Sequence, residues 1–310
     1  MPTMHDSSPV VSVIMNCYNG SQYLEEAIKS VLNQTYENWE LVFWDNCSTD
    51  SSVSIVENFA ENDGRIKIHR ANTHTSLGEA RVHAIQLAEG KYLAFLDVDD
   101  FWCPKKLQDQ VDLMARCNSD VGLIYSNVEL LKIESSNTVS KNNQTLHENL
   151  NPIFIKSGPN GRAFRWMLIE CFVPLPSVLV TAIAYNSVGG IDSTLEVAED
   201  YDLFLKIAEK FGVNYTEDVQ STYRIHSSSL SFDKYWKTFE ESMLLIDRFS
   251  VGYGFIGFIS RCSWRGRYLL ASLKNRDWKR VKWLSVKPFF IFGLLVYLFF
   301  VKALISMARR

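Results

Sequence analysis

Through the first 130 residues, short β-branched runs alternate with stretches whose apolar residues recur at helical spacing. That alternation builds a mostly parallel sheet through right-handed crossovers, with helices on its faces. Residues 11–16, 41–45, 66–70, 92–96 and 122–126 are the expected strands. A helix is expected over 21–32, where Leu24, Ala27, Ile28, Val31 and Leu32 share one face behind Ser21 as N-cap. A second is expected over 77–88, closed by Gly90 as a C-cap. In a chain of 310 residues with 47% apolar and 22% charged side chains, a sizeable core is within reach, which excludes disorder and a pure coiled coil.

Residues 132–162 are polar, Asn/Ser-rich and aperiodic, and a loop of that length is expected to be functional or disordered. Order returns over 164–171, with a strand near 177–181 and a helix over 198–211. Charge then separates along the chain. Residues 261–310 hold 12 Lys/Arg against one acid, Asp277, whereas the other 260 hold 20 basic and 34 acidic side chains. A nucleic-acid binder would carry its positive charge on the body, so no nucleic-acid partner is expected; a basic tail suits a membrane surface. Over 261–287 nine basic residues interleave with Trp264, Tyr268, Leu269, Trp278 and Trp283, which reads as an interfacial amphipathic helix. The uncharged run 288–301, extended through Lys302 to 308, is long enough to span or anchor in a bilayer. The organisation expected is therefore an extension over 1–9, a catalytic domain over 10–235 with halves at 10–130 and 131–235, a basic helical segment over 236–287 and an apolar anchoring helix over 288–308. Six scattered cysteines without metal-ligand spacing, and an opening unlike a secretory leader, point to the cytoplasmic side of a membrane.

Three acidic clusters fall at expected strand ends, where α/β sheets bind ligands. Asp45 closes the second strand beside Asn16–Asn19, which closes the first; its carboxylate either accepts hydrogen bonds from a ribose or base edge or makes an Asx-turn. Asp97, Asp99 and Asp100 crowd the end of the strand at 92–96. Like charges that close need a cation, and hard oxygen ligands favour Mg2+ or Mn2+; capping of the next helix would account for Asp100 alone. Glu199, Asp200 and Asp202 open a helix, where acids suit the helix dipole or supply a general base. His226 follows a short strand and has the chemistry to touch a metal or phosphate, and Arg81 either pairs with a diphosphate or faces solvent.

In order and spacing, these pieces resemble family 2 glycosyltransferases of the GT-A fold. The stretch VSVIMNCYNGSQYLEEAIKSVLNQTYENWELVFWDNCSTDSS is similar to that family's nucleotide-binding unit, LGEARVHAIQLAEGKYLAFLDVDDFWCPKKL to its Asp-x-Asp segment, and GGIDSTLEVAEDYDLFLKIA, followed by YRIHSSSLS, to its Glu-Asp segment. The resemblance covers residues 10 to about 230. It implies an α/β fold with a mostly parallel central sheet, a membrane-associated helical tail, and a nucleotide-sugar site formed by Asn16, Tyr18, Asn19, Asp45, Arg81, Asp97 and Val98. It further implies Mg2+ or Mn2+ at Asp97, Asp99 and His226, with Asp200 as general base and Glu199 as second choice for that role. The implied reaction is inverting transfer of one sugar to a hydroxyl of a lipid-linked or surface-glycan acceptor. A Gln-x-x-Arg-Trp motif of processive synthases is missing after the Glu-Asp segment, and Arg81-Val82-His83 stands where Arg-Asn is frequent. The rivals are an inactive membrane-associated scaffold on the same fold and a sugar nucleotidyltransferase; dehydrogenases and P-loop NTPases lack their glycine signatures here.

Overall fold

The structure, a computed structural model, describes residues 10–133, 162–226, 234–274, 276–285 and 295. Among these, eight strands form one sheet: β1 (Val11–Cys17), β2 (Trp39–Asp45), β3 (Ile66–Arg70), β4 (Tyr92–Phe95), β5 (Phe101–Trp102), β6 (Val121–Lys132), β7 (Leu179–Thr181) and β8 (Gly212–Ile225). The helices are α1 (Ser21–Leu32), α2 (Ser52–Ala60), α3 (Leu77–Gln86), α4 (Lys106–Arg116), α5 (Phe164–Ile169), α6 (Ala182–Ser187), α7 (Glu199–Lys210), α8 (Tyr235–Phe249), α9 (Gly254–Lys274) and α10 (Trp278–Ser285). The apolar run at 288–308, except Leu295, the extension 1–9 and nearly all of the polar stretch 132–162 lie outside the described residues. No described helix is long and apolar enough to cross a membrane.

The strand order is β3-β2-β1-β4-β7-β6-β8-β5. Strands β1 to β4 pair in parallel, as the βα alternation requires, but β7 runs antiparallel to both β4 and β6, and β5 antiparallel to β8. The expected mostly parallel sheet is thus mixed. The cause is that β7 is reached through a long excursion rather than a short helical crossover, so nothing imposes parallel entry. Strand β1, central and covered on both faces, is buried at every position. Its side chains alternate between two apolar layers: Val11, Val13 and Met15 pack with α1 and α4, while Ile14 joins Leu93, Phe95 and residues of α5, α7, α8 and α9.

Several local expectations give way to packing. Ser21 is the first residue of α1 rather than its cap, and Gly20 occupies the cap position without a side-chain bond. Helix α3 does carry a Ser76 cap, accepting from the Glu79 N–H, but ends at Gln86 with Leu87 at its C-cap. Gly90 serves a different need: a Cβ there would sit 2.5 Å from the Ser12 backbone nitrogen, and its own N–H donates to Ser12 Oγ at 2.8 Å. The strand preceding His226 is not short; β8 spans 14 residues and pairs along β6 through register shifts.

The largest departure concerns residues 261–274. Trp264, Tyr268 and Leu269, expected on an interfacial helix, are buried in the main apolar layer. Trp264 stacks on Tyr201 of α7, Tyr268 lies against Phe239 and Tyr235 of α8, and Arg267 pairs with buried Glu170. The aromatic-basic pattern fits an interfacial helix and a docked helix with charged flanks equally well, and here the aromatics face protein. On the opposite side of the sheet, the wholly buried Lys106 donates to Gln110 and to the Val178 carbonyl and lies over the Trp102 ring, an environment that pushes its ammonium well below the usual lysine range through desolvation.

Gly90→Ala is expected to cost about 1–3 kcal/mol, because the new methyl would meet backbone of the most buried strand. Calorimetry should show a melting temperature lowered by several degrees; an unchanged value would mean that the α3–β4 turn relaxes freely.

Candidate active site

The turns after β1, β2 and β4 and the N-terminus of α7 lie at the strand ends of the sheet, and a single guanidinium joins the last two. Arg81, on α3 and 5% exposed, donates through Nη2 to Asp97 Oδ1 at 2.7 Å and through Nη1 to Glu199 Oε1. It therefore does not face solvent, and both of its terminal nitrogens are engaged by carboxylates. Burial opposes its charge, but Asp97, Glu199 and Asp200 hold it protonated above the ordinary arginine range. Breaking such a buried pair from one side typically costs about 3–5 kcal/mol.

Glu199 is 1% exposed, with Oε1 engaged by Arg81 and Oε2 buried without a hydrogen-bond partner among the described residues. Asp200 is different. Among the described residues its Oδ1 accepts from the Tyr201 N–H at 2.7 Å, and no cation bonds it directly. Burial first, then the neighbouring Glu199 charge, push its carboxyl up to about 7, with Arg81 opposing. A carboxyl poised there exchanges protons readily at neutral pH, the property a general base needs. The geometry thus separates two adjacent acids: Glu199 braces, and Asp200 is available.

At the end of β4, Asp99 Oδ2 and His226 Nε2 are 3.0 Å apart. Burial and the Asp97 charge raise the Asp99 carboxyl. Asp100 does not cap the next helix; it is 1% exposed, accepts the Arg224 N–H at 2.8 Å, and is pushed well up by burial and then by Asp99 and Asp97. An oxygen and an imidazole nitrogen in a surplus of negative charge match the donor set that Mg2+ or Mn2+ accepts, with water and substrate oxygens completing the shell. Asp97 is turned toward Arg81 through one oxygen, and no three His, Cys, Asp or Glu among the described residues converge on a metal-sized point. Asp99 and His226 are the residues that would hold a cation, with the rest of its shell from solvent and substrate. Val98 offers only backbone here, because its side chain packs against the turn after β1, where a Cβ on Gly20 would meet it at 2.6 Å.

The turns after β1 and β2 are cross-tied. Asn19, at φ 53°, accepts from the Thr49 N–H and donates its own N–H to Ser48 Oγ. Asp45 is 4% exposed and takes the Ser48 N–H, three residues on rather than the two of an Asx-turn, with lone pairs to spare. Asn16, next to last in β1, has its Nδ2 buried with no hydrogen-bond partner among the described residues. Tyr18 is half exposed, and its ring lies 4.2 Å from that of His74. An exposed ring pair beside Asp45 can stack a nucleobase. His74 was not legible as a site residue, since it comes from the β3–α3 loop and reaches Tyr18 only through its bond to the Asn46 carbonyl.

Glu241 was equally hidden. From α8, its carboxylate accepts the backbone N–H groups of Glu196, Val197 and Ala198 at 3.0–3.1 Å, directly before Glu199 and Asp200. Helix α7 has no side-chain cap of its own, so Glu241 takes that duty from another element. Arg248 of α8 adds an ion pair to buried Asp202, at 3.1 Å.

A sheet of this order, with carboxylates crowded at its strand ends, is the kind of α/β architecture that binds ligands beyond those ends. The comparisons make it specific: the profile of Glycosyl transferase family 2 matches residues 12–165. The UDP-Glc:alpha-D-GlcNAc-diphosphoundecaprenol beta-1,3-glucosyltransferase WfgD of Escherichia coli is 30% identical over 228 residues, covering 73% of this chain and 81% of its own. The chain belongs to glycosyl transferase family 2. Against four further relatives, the chain spans only 30–44% of their length. Among solved structures, Staphylococcus aureus TarS residues 1–349 with UDP-GlcNAc superposes with TM-score 0.58 at 19% identity, over 76% of this chain and 66% of that one. The mannosyltransferase PcManGT of Pyrobaculum calidifontis, with GDP-Man and Mn2+, superposes with TM-score 0.58 at 15% identity, over 97% and 86%. These likenesses show a GT-A type fold.

Glu241→Ala is expected to destabilise the protein by about 1–3 kcal/mol, since three N–H groups lose their acceptor. Glu241→Gln, which keeps a carbonyl acceptor, should recover most of that loss in urea unfolding. Equal losses for both would mean that charge, not acceptor geometry, holds the turn.

Proposed function

We propose that the chain is a metal-assisted, inverting glycosyltransferase that moves one sugar per event from a nucleoside-diphosphate sugar to a hydroxyl of a lipid-linked or surface-glycan acceptor. The observation that carries the reading is the Asp200 carboxyl, raised to about 7 beside the Arg81 bridge between Asp97 and Glu199. Support for the acceptor class comes from the name of WfgD, whose printed substrate is a diphosphoundecaprenol-linked sugar. Support for the donor class comes from the nucleotide sugars named with TarS and PcManGT.

In this reading Tyr18 and His74 stack the base, while Asp45 and the Asn16 amide meet the polar edge of the nucleoside. Asp97, fixed by Arg81, faces the donor, and Asp200 removes the proton from the acceptor hydroxyl as that oxygen attacks the anomeric carbon in one displacement. The departing diphosphate takes the electron pair, so no covalent sugar-enzyme species forms. A divalent cation held by Asp99 and His226 would supply charge neutralisation on that diphosphate. Release of product returns the proton from Asp200 to solvent, an easy step for a group near 7.

We also propose that the protein works at the cytoplasmic face of a membrane, reached through its C-terminal segment; the basic charge of residues 261–310 and the apolar run 288–308 support this. An inactive scaffold on the same fold would have no use for a carboxyl perturbed in this way, which favours the enzyme.

The first test is metal-dependent release of nucleoside diphosphate from a panel of UDP-, GDP- and dTDP-sugars, which needs no acceptor. Asp99→Ala should abolish it, and a panel with no release from folded protein would sink the reading. With donor and acceptor known, Asp200→Asn should lower kcat by about a hundredfold or more with little change in donor KM. The sign of the pH effect follows from the base role: Asp200 must be ionised, so kcat should fall as pH drops through about 7. A flat profile between pH 5 and 8 would remove Asp200 from that role.

A further inference from the structure

Helix α10 carries two tryptophans on its outer side. Trp278 is 66% exposed and Trp283 45%, and Lys279 and Lys282 are exposed between them. At 100° per residue these four positions form one stripe, with exposed Arg276 just ahead of it. The other side of the helix is spent on the protein: Leu284 is buried, and Arg280 lies over the Trp236 ring and pairs with Asp277 at 3.1 Å. Trp283 stands at the margin of the stripe, half exposed and edge-on to Trp236 at 5.4 Å. No acid occurs within α10. Trp278 at 66% exposed is the most solvent-facing aromatic of the helix, and a tryptophan that open beside exposed lysines is a feature of interaction surfaces.

We propose that this face of α10 rests on an anionic phospholipid surface, a deepening that depends on the membrane reading above. Two observations select that occupant. The first is charge: an acid-free stripe of lysines complements phosphate headgroups, while indoles are at home between headgroup and acyl chain. The second is continuity, because α10 ends three residues before the uncharged run that begins at Pro288. A helix lying flat would bring that run to the interface at the depth an anchoring segment needs. The same helix touches α8 through Trp236, and α8 carries Glu241, so the docked face and the base-bearing turn belong to one packed unit.

The test is flotation of the full chain, without detergent, with vesicles of phosphatidylcholine alone or mixed with phosphatidylglycerol. The parent should float with the mixed vesicles and lose affinity as salt rises. Lys279→Glu/Lys282→Glu should weaken that partition by more than about tenfold, and Trp278→Ala/Trp283→Ala should weaken it on both compositions. Partition equal to the parent in both variants would assign binding to residues 288–308 and overturn the proposal. So would a parent that never floats, or one whose α10 variants differ only in self-association by analytical ultracentrifugation. Nucleotide release from the donor panel, measured without vesicles, should be unchanged in these variants and reports their fold. Loss of floating with release intact overturns the docking face alone; floating with no release in the parent overturns the transferase reading and leaves the docking face standing.

Discussion

The buried Arg81 guanidinium is the constraint from which the rest of the site follows. Two carboxylates from opposite halves of the chain, Asp97 after β4 and Glu199 at the start of α7, are held by one side chain that lies almost wholly out of water. Such a bridge contributes little to net stability, since desolvation offsets most of the attraction. What it fixes is geometry. With Arg81 in place, the strand that leads into Asp97 and the helix that opens with Glu199 and Asp200 cannot drift apart, and of those two neighbouring acids Glu199 is paired while Asp200 is raised to about 7.

That helix is also held from behind. Glu241 receives the N–H groups ahead of α7, Arg248 pairs with Asp202, and Trp264 stacks on Tyr201. The C-terminal helices α8 and α9 are therefore part of the machinery that sets the site rather than an appended tail. Their aromatic residues complete the larger apolar layer, and their charged residues tie off buried carboxylates that would otherwise be stranded in a medium of low dielectric.

Much of this was legible before the fold was seen. The strands β1 to β4, the helix α1 and the acidic clusters at 97–100 and 199–202 follow from periodicity and from where an α/β sheet presents its ends. The tail was misread in part, because Trp, Tyr and Arg at helical spacing do not say whether the aromatics meet lipid or protein. Nor did spacing announce Glu241 or His74, which act at turns far from them in sequence. A carboxylate capping another helix leaves no local pattern, and an exposed ring pair exists only once two loops are brought together.

The sequence by itself determined the class of fold, the strand ends at which the acidic clusters gather and the residue types available there, since those depend on short-range periodicity and on strand ends. Tertiary structure alone decided which groups meet. Arg81 came to bridge Asp97 and Glu199, Asp200 separated from Glu199 as the carboxyl raised to about 7, and the antiparallel entry of β7 turned an expected parallel sheet into a mixed one. Each of these depends on which charges and backbones are buried together, and burial is a property of the folded chain that no window of sequence contains.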